Sequence, residues 1–180
     1  MDVWLSVLRN VFEWRQSFDE RAQRETQFLL AMAPLLSNPV AESRLHSVER
    51  RVLEEKDRCQ LRQSLVVVVT LAKLYESPDG VDGGAAGGVL GFKPNYLPKD
   101  AYNALADLRQ LELSGGMRGV SDSFALLTGD RSLALLWCGI NVQSAAPGGN
   151  GITLSVKPVM DLFPRLARDR SQELIRTALS

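Results

Sequence analysis

One histidine, His46, and two cysteines, Cys59 and Cys138, are a thin supply of nucleophiles and soft metal ligands for 180 residues. A Ser-His-Asp or Cys-His device would have to use His46. That residue falls in the charged run Leu45-His-Ser-Val-Glu-Arg-Arg and is expected to be solvated. The two cysteines lie far apart in apolar contexts, which favour inert thiols. A disulfide framework would need more of them in a shorter chain. No ligand spacing of the zinc or EF-hand kind occurs, and nothing picks out a carboxylate group built from Asp122, Asp130 and others. No catalytic residue, cofactor site or metal site is therefore assigned.

An excess of charge of either sign is also missing. Lys plus Arg and Asp plus Glu number 21 each, and the formal net charge is zero. The balance is local too, with 11 of each sign in residues 1–77 and 10 of each in residues 78–180. Phosphate contacts dominate the affinity of general nucleic-acid binders, so a basic excess would be expected of one. The last helix does carry Arg165, Arg168, Arg170 and Arg176, but Asp161, Asp169 and Glu173 dilute them. A nucleic-acid-associated role is kept as an alternative to protein binding.

Long apolar runs are missing as well. The longest, Leu65 to Leu74, contains Thr70 and Lys73 and is half of the roughly 20 residues a spanning helix needs. The opening Met1-Asp-Val-Trp-Leu-Ser lacks a basic leader region, and no Asn-x-Ser/Thr sequon occurs. These features predict a soluble cytoplasmic chain with reduced thiols. At about 100–200 residues per domain, one domain is expected.

What the sequence does hold is helical periodicity. Trp4, Leu5, Leu8, Val11, Phe12 and Phe18 recur at spacings of three and four, with Trp14 off the stripe. Phe28, Leu29, Met32 and Leu35-Leu36 resume the pattern after a joint near residue 19. Ser37-Asn38-Pro39 then predicts a helix start, with Asn38 as cap and Pro39 at the first position. One long helix is expected from there to Tyr75. Its first half is charged, with Arg50, Arg51, Glu54, Glu55 and Arg58 spaced to pair. Leu45, Val48 and Val52 form a narrow apolar seam. The second half, Leu65-Val-Val-Val-Val-Thr-Leu, is apolar all round and is read as a buried helix rather than a strand.

Residues 1–77 thus make a helical hairpin segment. Residues 78–97 read as a glycine-rich flexible loop carrying Gly83, Gly84, Gly87, Gly88 and Gly91. A Walker loop would end in Gly-Lys-Ser/Thr, whereas this one runs Gly91-Phe-Lys-Pro. Residues 98–180 are expected to add a helix over 98–113, closed by Gly115-Gly116. A hairpin about Gly129-Asp130 follows, using Phe124–Thr128 and Leu133–Cys138 as strands, then a strand over Ile152–Val156 and a last helix to about Leu179. The fold class so predicted is α-rich α+β, with a helical N-terminal hairpin, a small antiparallel sheet and a C-terminal helix.

Function follows mainly from the helical surfaces. The reading is a non-enzymatic assembly or adaptor protein, working through helix packing as a homo-oligomer or as one subunit of a complex. The candidate partner-binding residues are Trp4, Leu8, Phe12 and Trp14 on the first helix and Leu45, Val48 and Val52 on the seam. The aromatic first helix could also rest on a membrane surface through residues 1–18, as a matrix-like protein would. Its polar face sets Arg9 and Arg15 against Asp2, Glu13 and Asp19, so electrostatic help would be weak. An enzyme with a mobile glycine-rich substrate loop is a further alternative, although no small molecule is indicated.

Overall fold

The computed structural model describes residues 21–77, 84–120, 126–148, 151–156 and 162–180. The stripe Trp4, Leu8, Phe12 and Trp14 lies outside these residues, as do Gly83 and Asp122.

The first described helix, α1, covers residues 21–36 and buries Phe28, Leu29, Met32, Ala33 and Leu36. The expected helix start at Asn38-Pro39 is not used. The Asn38 side chain turns back to the Ser37 hydroxyl, at 3.4 Å, instead of receiving the amides that follow. A short 3-10 turn, Glu42–Arg44, intervenes, and α2 runs over Leu45–Arg58.

The long helix expected up to Tyr75 is broken in two. After α2, Gln60 takes a left-handed conformation (φ 55°). Its amide bonds to Asp57 O at 3.0 Å, and the Leu61 amide bonds to Lys56 O at 3.0 Å. This is the Schellman ending, with glutamine where glycine is usual and buried Leu61 as its apolar lock. Ser64 sits at the start of α3, Leu65–Leu74. The expected buried helix is present there: Leu65 to Ala72 and Leu74 are all at most 2% exposed, and the Thr70 hydroxyl donates to Val66 O at 2.8 Å. This central helix is contacted by α2, α4, α5 and α7.

A six-residue helix lies within the expected glycine loop, whose residues 78–83 are outside the described ones. Ala85–Leu90 form α4, with Gly84 preceding it, Gly87 and Gly88 inside it and Gly91 ending it in the left-handed conformation (φ 57°). Close approach explains the composition. A Cβ at Gly88 would stand 2.0 Å from the Ser132 hydroxyl, and one at Gly84 would stand 2.0 Å from the Glu76 carboxyl carbon. The glycines thus seat a short helix against its neighbours.

Helix α5 covers Pro98–Val120, running through Gly115 and Gly116 instead of stopping before them. Its first turn is fixed by Asp100, whose Oδ2 accepts the Leu97 amide at 2.8 Å. Helix α6 covers Arg131–Ile140, over the segment expected as a hairpin strand. Asp130 is its N-cap, accepting the Leu133 amide at 2.8 Å. Leu-Ala-Leu-Leu-Trp contains no β-branched residue, and Gly129-Asp130 marks a helix start rather than a hairpin turn.

The chain then forms a two-stranded antiparallel ribbon, β1 (Val142–Gly148) with β2 (Gly151–Val156), carrying an irregularity between Val142 and Ser144. The ribbon runs beside α5. The strand expected over 152–156 is there, but its partner is 142–148. The last helix, α7, spans Arg168–Leu179 and buries Leu174, Ile175 and Ala178. Helices dominate and the strands among the described residues amount to this one ribbon, so the fold is mostly α and the expected α+β class is overturned. Seven helices and one hairpin ribbon are present among the described residues. One apolar cluster draws on both halves of the chain, from Phe28 to Ala178.

Candidate functional site

The seam Leu45, Val48 and Val52, expected to face a partner, faces inward instead. All three are at most 5% exposed and belong to the core cluster. The reason lies in two charges on the same stripe. Glu49 and Lys56 fall at helical spacing with Val48 and Val52, and each finds a partner inside the fold. The Glu49 carboxylate accepts the Tyr75 hydroxyl at 2.5 Å and the Arg170 guanidinium at 2.5 Å, tying α2 to α3 and α7. Burial, and next the bond to Glu49, push the Tyr75 hydroxyl well above the ordinary tyrosine range. Lys56 Nζ donates to Thr177 O at 3.1 Å, closing the C-terminal end of α7. The pairs expected four apart on α2 do not form, and pairs three apart take their place beside the Lys56–Asp57 contact at 3.5 Å. Arg51 and Glu54 lie 3.6 Å apart, while Arg58 holds Glu55 through Nε at 2.9 Å. The Arg58 hydrogen bond keeps the Glu55 carboxyl below the usual range.

A second buried cluster joins α1 to α5. Arg21 and Glu25 on α1 lie on the stripe of Phe28, Leu29 and Met32, and Glu112 continues the stripe of Leu105 and Leu108 on α5. Arg21 pairs with Glu112, and its Nε lies 3.3 Å from Glu25. Glu25 also accepts the Arg109 guanidinium and the Ser64 hydroxyl, each at 2.9 Å. Arg21, Glu25 and Glu112 are at most 4% exposed. Burial is the largest influence on Glu112 and raises its carboxyl to about 7, against the opposing pull of Arg21. Sequence reading missed both clusters because a charge on an apolar stripe looks like an interruption. The signal that could have found them is that several such charges of opposite sign recur on three stripes.

The titratable residues weighed for chemistry are dispersed. His46 is exposed, with Nδ1 4.0 Å from Glu49. Cys59 is buried against Glu55, and burial raises its thiol above the ordinary range, whereas Cys138 is exposed on α6. Asp130 serves as a helix cap. Among the described residues no group of three or more His, Cys, Asp or Glu side chains could hold a metal ion. A cavity of about 120 Å³ opens at the end of α3, lined by Asn38, Lys73, Glu76, Gly84 and Arg165. It is well below the roughly 300 Å³ at which small-molecule pockets begin. Its charges are already engaged: Lys73 with Glu76 at 2.9 Å, Glu76 with the Gly87 amide at 2.7 Å, and Arg165 with Glu42 at 2.5 Å.

The arginines of the C-terminal region are divided in the same way. Arg165 and Arg170 bond to Glu42, Glu49 and Glu173, while Arg168 and Arg176 are exposed. No helix among the described residues is long and apolar enough to cross a membrane.

Large apolar side chains do reach solvent elsewhere. Leu97, Tyr102, Leu127 and Leu135 are exposed, Leu127 almost completely at 98%. Helix α6 turns Leu133, Leu136, Gly139 and Ile140 inward and leaves Leu135 and Cys138, one turn apart, outward. No family model matches this chain, and comparison with curated proteins and with solved structures finds no match.

Proposed function

We propose that this chain is a non-enzymatic assembly protein that binds another protein chain, in the first instance a second copy of itself. The observation that supports the reading is the outer side of α6, where exposed Leu135 and Cys138 stand one turn apart, with exposed Leu127 just before the helix. A surface helix ordinarily turns charged or polar residues outward. Here Arg131 is the one charged residue of the helix, and the rest of its outward side is apolar. Leu45, Val48 and Val52 have no part in this proposal, because they hold the fold together.

The thiol of Cys138 supplies the test. A partner seated on α6 would shield it, so its maleimide labelling at one fixed maleimide concentration, in excess throughout, should slow several-fold as protein concentration rises. Buried Cys59 serves as the internal reference. Labelling of Cys138 that is fast and independent of concentration would refute self-association through α6.

A further inference from the structure

We draw no further inference here: the strongest candidate, the buried Arg21–Glu25–Arg109–Glu112 side-chain cluster between α1 and α5 taken as a proton-operated clasp, carries nothing because the direction of its response rests on the raised Glu112 pKa alone.

Discussion

Arg21 and Glu112, 91 positions apart in sequence, pair inside the protein, where their side chains are 5% and 2% exposed. Two ions removed from water gain from each other only what exceeds their desolvation. Taking away one partner leaves the other uncompensated. Among the described residues, Arg109 and Glu25 join them, Arg109 lying 2.9 Å from Glu25.

Glu25 holds three partners, Arg21, Arg109 and Ser64, from three parts of the chain. Glu25→Ala should destabilise the fold by about 3–5 kcal/mol, the range for breaking a buried ion pair by removing one side. Urea unfolding followed by circular dichroism checks this. A loss under about 1 kcal/mol, the scale of an exposed pair, would mean that the cluster is hydrated.

The pH dependence follows from Glu112. Its folded pKa of about 7 lies above the ordinary carboxyl value of 4.5, so the folded state binds the extra proton between those limits. Stability from this group is complete below about pH 4.5 and is lost as pH rises through about 7. Glu112→Gln should flatten this part of the stability profile, as read from urea midpoints at pH 5 and pH 8. A wild-type midpoint that rises over the same interval, and does so equally in the variant, contradicts the assignment.

How much of this was legible beforehand differs from element to element. The all-round apolar run Leu65–Leu74 declared a buried helix, and α3 is one. The break before it was hidden, because Gln60 and Gln63 adopt left-handed backbone where glycine would have announced it (φ 55° and 50°). The short helix within the glycine-rich stretch was hidden because that composition is shared by loops and by tightly packed short helices, and only the Ser132 and Glu76 neighbours tell them apart. On the candidate surface, Leu45, Val48 and Val52 were recognisable as an apolar seam, but not as one covered from within. The exposed side of α6 was hidden by reading that segment as a strand.

Gly88 gives a test of the packing account. Gly88→Ala improves helix propensity by about 1 kcal/mol but drives a methyl into Ser132. The net result should be a loss of about 1–2 kcal/mol, within the range for overpacking. Ser132→Gly in the same chain should recover most of it. Gly129→Ala, with nothing within 4 Å of its added methyl, should change stability by under about 0.5 kcal/mol. If Gly88→Ala and Gly129→Ala prove equally benign in thermal melts, α4 does not sit against α6 as described.

Asp130 separates cap from charge. Its carboxylate caps α6, and burial, then the charge of Asp130, raise the Asp107 carboxyl above its usual range. Asp130→Ala should cost about 1 kcal/mol, whereas Asp130→Asn keeps the cap acceptor and should stay within about 0.5 kcal/mol of the parent. The Asn variant should also lower the Asp107 pKa, measured by carboxyl-carbon NMR titration. An Asp107 titration unmoved by either variant would place the two groups out of electrostatic reach.

The most direct test of the assembly reading is the solution mass of the intact chain by size-exclusion chromatography with light scattering. It should be run over a concentration series, with absorbance recorded at 260 and 280 nm, and repeated with Leu135→Ser. Circular dichroism of both proteins confirms that the surface substitution leaves the fold in place. A discrete oligomer with a protein-like absorbance ratio, shifted towards monomer by Leu135→Ser, is the expected result. A clean monomer at every concentration, or an oligomer indifferent to Leu135→Ser, would contradict it.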